Sequence, residues 1–416
     1  MDVPLNSRTI RRFSSRLHAA QACDAKSVAK VERVPLRRQV SSTSPILAND
    51  FRALWQKVGG DVQRAVARVG ESGWLILGKE VTAFEQSLAR LWGLEQAVGC
   101  GNGMDAIEIA LRVLGLKPGD PVLTTPLSAF ATTLAILRAG GRPVFVDVTE
   151  AGGLDLSLSR EVLTKHPEIK FMVPVHLYGH VLDLDELERL REDLGLKIVE
   201  DCAQSILGRQ GGRNCGTVGQ CAATSFYPTK NLGAMGDGGA LLTNDPELAA
   251  QARRWRDYGQ AAKYVHVLPG LNSRLDELQA AILNHALLPR LDRFTETRRA
   301  IARGYYAGLG EVRALEVPVT DLESSVWHLF PVLARGDRAR ICEHLASRSI
   351  QTAFHYPQLI PDQQAMQPAA FEVATPLSVA RRWTQHEISL PLHPFLGDVD
   401  VQRVIAACRE LDLLRL

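Results

Sequence analysis

The sequence predicts an α/β fold: a mostly parallel sheet flanked by helices, followed by a smaller mixed region at the C-terminus. Three observations lead there. Between residues 104 and 200, short apolar runs alternate with amphipathic stretches at the spacing of βαβ units. Two of those runs, Phe171–Val175 and Leu196–Val199, are predominantly apolar and read as strands covered on both faces. Chemically capable residues then follow apolar runs, where open α/β sheets present their functional groups.

The elements follow in order. Residues 1–45 carry nine Lys and Arg against three acids, with frequent serine, and read as a mobile basic extension. Two amphipathic helices are expected at Ala48–Val69 and Val81–Leu91. A helix over 104–115, with Ile107, Ala110, Leu111 and Leu114 on one face, opens from a glycine-rich turn. Strands are expected at Pro121–Thr125, Pro143–Val148, Phe171–Val175, Lys197–Glu200 and Gly239–Thr243. Helices are expected at Ala129–Ala139, Ser157–Lys165, Leu182–Leu194 and Pro246–Arg256, and one long helical stretch from Arg274 to about Gly308. Beyond residue 310, a strand (Val326–Leu333) mixes with helices (Arg338–Arg348, Val399–Leu411). A large domain over 46–290 and a small one over 291–416 are therefore expected.

Composition narrows the function. The chain has 416 residues, 46% apolar and 23% charged, which suits a water-soluble globular protein. A net charge of +2 gives nucleic acid or an anionic membrane no electrostatic preference as partner. No apolar run reaches the length of a transmembrane helix. The seven cysteines form no CxxC pair, so neither a disulfide framework nor a metal site is suggested, and a cytoplasmic location is expected.

The run Ala222–Thr243 carries most of the chemistry. It holds Lys230 in a short turn, Ser225 five residues earlier, and a glycine-rich segment after it. A lysine so held can form an imine with an aldehyde cofactor such as pyridoxal 5'-phosphate (PLP). A lone loop lysine is ordinarily a solvated charge; its neighbours argue otherwise. Asp201 follows the expected strand Lys197–Glu200. A carboxylate there can hold a proton on a pyridine nitrogen, which makes that ring an electron sink. The turn Gly101-Asn102-Gly103-Met104 opens a helix, whose free N–H groups favour a phosphate. It is neither a GxGxxG fingerprint nor a P-loop.

Taken in order, these motifs resemble the DegT/DnrJ/EryC1/StrS sugar aminotransferases. The resemblance covers roughly residues 46–416. It is carried by Ser72–Val81, Gly101–Ala106, Pro143–Val148, Val175–His180, Glu200–Ser205, Ser225–Gly233, Asn272–Ala281 and Leu390–Pro394. It implies fold type I and a PLP cofactor bound covalently to Lys230, passing through pyridoxamine 5'-phosphate. It implies that Asp201 meets the ring nitrogen, Gln204 the phenolate oxygen and Phe130 the ring face. Ser225, with backbone N–H groups at Gly103 and Met104, would hold the phosphate. Met104 departs from the usual hydroxyl residue and so offers backbone only; Leu127 and Ser128 also depart from the common pattern. Asn272 would reach the phosphate of a neighbouring subunit, so a homodimer with shared sites is implied.

His176, Tyr178, Lys263, Tyr264, His266 and His328 are candidates for substrate contact, with His355 and Tyr356 behind them. The implied reaction moves an amino group from L-glutamate to a nucleotide-linked keto-deoxysugar. The details most resemble the subgroup acting on dTDP-3-keto-6-deoxyhexoses. A 4-keto or UDP-linked substrate stays open, as does a non-catalytic PLP-binding regulator. A family dehydratase is disfavoured, since those relatives carry histidine in place of Lys230.

Overall fold

The computed structural model describes residues 44–414. All but the last two residues of the expected N-terminal extension lie outside that span. The chain opens with α1 (Phe51–Ser72), started by the Asp50 carboxylate accepting from the Ala53 N–H, and stopped by Gly73 in the left-handed conformation. Helix α2 (Lys79–Trp92) follows and buries Phe84, Leu88 and Trp92. Strand β1 (Gln96–Cys100) comes next and leads through the glycine turn into α3 (Gly103–Val113). Alternation then runs through β2 (Pro121–Thr124), α4 (Phe130–Ala139), β3 (Arg142–Phe145), α5 (Leu156–Lys165), β4 (Phe171–Val173), α6 (Leu184–Leu194) and β5 (Lys197–Asp201). A small hairpin, β6 (Arg209–Gln210) and β7 (Arg213–Asn214), precedes β8 (Cys221–Ser225), β9 (Gly239–Thr243) and α7 (Pro246–Trp255).

The eight-stranded sheet is ordered β1-β9-β8-β5-β4-β2-β3 and ends on a short strand, Glu372–Val373, from the C-terminal region. Pairings from β8 outward to that edge are parallel; β9 runs antiparallel to both β1 and β8. The mostly parallel sheet expected from the sequence is present. Strands β1 and β8 were not foreseen. Gln96–Cys100 and Cys221–Ser225 are short, rich in small residues, and abut the glycine turn and the lysine loop, so they carry little strand pattern of their own.

The hairpin β10 (Gln260–Ala262) and β11 (Val265–His266) projects with its residues mostly exposed. The long helix expected from Arg274 is broken. Helix α8 (Glu277–Ile282) passes into a widened π turn at Leu283–Leu287 and a tight turn at Leu288–Arg290, before α9 (Leu291–Leu309). Pro289 is the cause: it lacks an N–H, and its ring crowds the carbonyl four residues back.

The C-terminal region builds an antiparallel sheet from β12 (Leu315–Glu316), β13 (Phe330–Ala334) and a strand at Glu387–Leu390. The expected strand at Val326–Leu333 is shifted to β13, because Val326 and Leu329 give their N–H groups to the turn at Tyr178–Gly179. Helix α10 (Arg338–Ser347) follows, then β14 (the Glu372–Val373 edge strand), α11 (Ser378–His386), β15 (Glu387–Leu390) and α12 (Asp398–Glu410). Tyr305, Phe330, Val332, Val404 and Ile405 form the core here, together with Ile46 from the start of the described chain. The C-terminal region and the large sheet thus interleave in sequence: Ile46 joins the C-terminal core, while β14 returns to the large sheet. No helix among the described residues is long and apolar enough to cross a membrane.

Candidate active site

The pairing of β5 with β8 aligns Asp201 with Ala223, and the pairing of β8 with β9 aligns Ser225 with Gly239. Asp201 and Ser225 therefore sit at one edge of the sheet, the carboxyl ends of two adjacent parallel strands. The start of α3 reaches the same place. A Cβ on Gly103 would stand 2.8 Å from the Ser225 Cβ, so glycine is what lets the helix N-terminus lie against that serine. Asn102 caps the helix by accepting from the Asp105 N–H at 2.8 Å. Hydroxyl and free amides thus converge at an anion cradle, with Met104 half-buried beside it. We expect Gly103→Ala to push this cradle apart. Affinity for PLP should fall about tenfold or more, with roughly 1–3 kcal/mol lost in stability; cofactor titration and thermal melting measure both.

Lys230 lies in a closed turn. Its N–H donates to the Tyr227 carbonyl at 2.8 Å, and the Ala234 N–H donates to the Phe226 carbonyl at 2.7 Å. Gly233 is required there, because a Cβ would fall 2.3 Å from the Pro228 carbonyl oxygen. Burial pushes the Lys230 ammonium down to about 8, against the pull of Asp201 in the other direction. A lysine poised near neutrality in a cleft suits nucleophilic and proton-transfer work.

Asp201 is 4% exposed. Its Oδ2 accepts from the Thr132 hydroxyl at 2.7 Å and its Oδ1 from the Ala203 N–H at 3.0 Å. Each carboxylate oxygen keeps a lone pair for a further donor. Thr132 was not foreseen. Its signal was one of two adjacent threonines in the first turn of α4, two residues after Phe130; Ser128, one of the departures in pattern, lies 3.3 Å from it. Phe130 is half-buried at the first position of α4 and packs on the cluster of Phe145, Ile360 and Met366.

Gln204 is buried. Its Oε1 accepts from the Tyr178 N–H at 2.7 Å, and its Nε2 donates to the Tyr356 hydroxyl at 3.0 Å. One amide hydrogen remains for another acceptor. His328 is 7% exposed, and its Nδ1 lies 3.3 Å from Asn231 Oδ1, just after the lysine. Burial holds its pKa well below the usual imidazole range, and the charges of Lys230, Arg298 and His355 push the same way. His355 is pushed down to about 4 by burial and then by Lys230. Both rings are therefore neutral hydrogen-bonding groups near the lysine.

Two expected substrate residues belong elsewhere. His176 is wholly buried: its Nε2 lies 2.9 Å from Glu200 Oε2, and its Nδ1 accepts from the Leu182 N–H at 3.1 Å. Both ring nitrogens are committed, so it braces the turn after β4. Tyr178 is also buried, stacks on Trp383 at 5.4 Å, and donates its hydroxyl to the His355 carbonyl. Their position after a strand suggested a pocket; the C-terminal region covers Tyr178 instead, and Glu200 and Leu182 take up His176.

Lys263, Tyr264 and His266 form the exposed tip of the β10–β11 hairpin, with Tyr264 79% exposed. The Lys263 ammonium rests 5.3 Å from the Tyr264 ring, and His266 Nδ1 lies 2.9 Å from the Tyr258 carbonyl. Asn272 is exposed, bridged to Asp257 through the backbone.

This cleft has the parts that a phosphorylated pyridine aldehyde requires: an anion cradle, an aspartate with spare acceptor capacity, an aromatic beside it and a destabilised lysine. The residues fit PLP. A profile of the DegT/DnrJ/EryC1/StrS aminotransferase family matches residues 56–409. The chain is 41% identical over 367 residues to the dTDP-3-amino-3,4,6-trideoxy-alpha-D-glucose transaminase of Streptomyces venezuelae, covering 87% of this chain and 94% of that protein. The crystal structure of S. venezuelae DesV with a ketimine intermediate superposes with a TM-score of 0.84 at 40% identity, covering 89% of this chain and 99% of that one. A Bacillus subtilis structure, NtdA with bound PMP, superposes with a TM-score of 0.80 at 28% identity, covering 91% and 87%. With this cleft and these likenesses over most of its length, the chain belongs to the DegT/DnrJ/EryC1/StrS aminotransferase family.

Proposed function

We propose that this aminotransferase moves the amino group of L-glutamate to the 3-keto group of a dTDP-linked 6-deoxyhexose, with PLP bound covalently through Lys230. The observation that carries the chemistry is the half-buried Lys230, its ammonium destabilised, at the sheet edge that also presents Asp201 and Ser225. The substrate class rests on several relatives of 37–42% identity that are named dTDP-3-amino-sugar transaminases.

When bound, PLP supplies an electron sink for the carbon losing or gaining the amine. The chain's own residues do the rest. Ser225 Oγ and the amides at Gly103 and Met104 would hold the phosphate. Asp201, steadied by Thr132, would keep the ring nitrogen protonated. Phe130 would shield the ring from water. Gln204, fixed by Tyr178 and Tyr356, would offer its free amide hydrogen to the phenolate oxygen. Lys230 Nζ would hold and move the proton at the reacting carbon. His328 and His355, held neutral, accept or donate hydrogen bonds without competing for that proton.

The remaining sugar-nucleotide contacts come from a second subunit. The hairpin carrying Lys263, Tyr264 and His266 is exposed, as are Asn272 and the apolar run at Trp74–Ile76, of which Trp74 is 61% exposed. A homodimer would cover this apolar surface and bring Asn272 to the partner's phosphate, with Lys263 and His266 near the diphosphate. All six described cysteines are free, which suits a cytoplasmic enzyme.

Two experiments test the reading. Run in reverse, dTDP-3-amino-6-deoxyhexose and 2-oxoglutarate should yield glutamate. Glutamate from only a 4-amino or a UDP-linked sugar would reassign the substrate. For the shared site, co-expressed Lys230→Ala and Asn272→Asp chains should regain activity in mixed dimers, since one site then carries both lesions and the other neither. Mixed dimers that form and stay inactive would place Asn272 in its own subunit's site.

A further inference from the structure

Strand β15 carries two buried polar side chains, Glu387 and Ser389, in a region otherwise packed with apolar ones. Glu387 is 0% exposed and Ser389 is 3% exposed. Two residues apart in a strand, they point to the same side. The backbone of Ala353 pairs with that of Ser389, donating to its carbonyl at 3.2 Å and accepting from its N–H at 2.8 Å. This pairing brings the half-buried His355 alongside.

A buried carboxylate is costly unless its oxygens are satisfied, and here both are. Glu387 Oε2 accepts from the His355 N–H at 2.6 Å, and Oε1 accepts from the Ser389 hydroxyl at 2.5 Å. Ser389 Oγ lies 2.8 Å from His355 Nδ1. One carboxylate therefore holds the same histidine twice, directly at its backbone and through Ser389 at its ring. The residue is fixed from the other side as well. The His355 carbonyl accepts from the Tyr178 hydroxyl, and the next residue, Tyr356, accepts from Gln204.

The available hydrogens set the state of the ring. Burial pushes the Glu387 carboxyl up to about 7, against its two hydrogen bonds and the charge of Arg338. Above that pH it is ionised and can only accept. The single Ser389 hydrogen goes to it, which leaves Oγ nothing but lone pairs for His355. Nδ1 must then carry a hydrogen and donate. The ring, pushed down to about 4 by burial and by Lys230, is neutral and has one hydrogen to place. Nε2 is left without one, as an acceptor, and it has no hydrogen-bond partner among the described residues. The positive charge that acts on this ring is that of Lys230.

Resting on the reading that Lys230 is the reacting amine, we propose that Glu387 and Ser389 are positioning residues of the active site. They lock His355 in the Nδ1–H tautomer, so that Nε2 accepts from N–H groups at the Lys230 nitrogen. Nitrogen-15 NMR of the cofactor-loaded, histidine-labelled protein reads the tautomer at about pH 8.5, where Glu387 is ionised. The His355 signals are identified by their loss in His355→Gln. Nδ1 should show the shift of a protonated ring nitrogen and Nε2 that of an unprotonated one; the reverse, or an average of the two, overturns the proposal. Glu387→Gln keeps the shape of the side chain but turns an NH₂ group towards Ser389. The hydroxyl must then donate to Nδ1, and the ring hydrogen moves to Nε2. The two His355 signals should exchange character, and the amine-transfer half-reaction should slow by about 10–100-fold, the worth of one hydrogen bond to a charged group. A variant that melts lower but keeps both tautomer and rate would make the pair purely structural and overturns the proposal, as does an exchanged tautomer with an unchanged rate. The tautomer of the unaltered protein is read without substrate, so neither an ill-folded variant nor a different sugar stops the test.

Discussion

Lys230→Ala is expected to bind PLP reversibly and to lose transamination by about 10²–10⁴-fold or more, the usual worth of a positioned proton carrier. Borohydride should fix the cofactor on Lys230 of the unaltered protein, and nothing should be fixed on the variant. A label on another lysine would remove Lys230 from its role. The lowered pKa gives a second, independent readout on the apoprotein. In the unfolded chain the amine titrates near 10.5, and in the folded chain near 8. Below pH 8 both states bind the proton, so the full cost of a buried ammonium is present, on the order of 3 kcal/mol at most. Between pH 8 and 10.5 the folded amine is neutral while the unfolded one still binds a proton, and that cost fades. Apo Lys230→Met should therefore melt above the unaltered apoprotein at pH 7, and the gap should close as pH rises towards 10.5. A gap that does not change with pH would mean that Lys230 is not buried as an ammonium.

Asp201→Asn should retain the fold and bind PLP weakly, with the amine-transfer half-reaction slowed by roughly 10–1000-fold. That range follows from the one to three pKa units an adjacent opposite charge is worth to the ring nitrogen. The fold should survive because the amide still accepts from one of its two present donors. The Thr132 hydroxyl can turn to accept from the new NH₂ group. Single-turnover absorbance changes with glutamate measure the first effect and the melting temperature the second. A fully active variant would remove this aspartate from the mechanism.

Some of this site was legible because it is local in sequence. Lys230, its flanking Ser225 and Gly233, and Asp201 at the end of an apolar run are short-range patterns, and the structure places them at one sheet edge. Thr132 was not legible. Its hydroxyl matters only because α4 crosses the end of β5, and a threonine at a helix start has many other uses. His176 and Tyr178 failed in the opposite sense. Their place after a strand suggested a pocket, yet the chain at 355–383 covers Tyr178, and Glu200 satisfies His176.

The same division runs through the fold. The alternation of apolar runs and amphipathic stretches determined the parallel sheet, because each strand and helix must bury its own apolar face wherever its neighbours lie. Strand order, the antiparallel insertion of β9, and the return of β14 to the sheet edge depend on which distant segments meet, and no local pattern encodes that. Pro289 could have been read as a break in the long helix; a proline's penalty is local, although the π turn that relieves it is a matter of packing. The sequence alone determined a lysine, an aspartate and a phosphate turn in the order of a PLP aminotransferase. Only the tertiary structure decided that Lys230 is desolvated enough to lose its proton near pH 8, and that Arg298 is buried with its Nε unpartnered, because desolvation is a property of the surroundings and not of the residue.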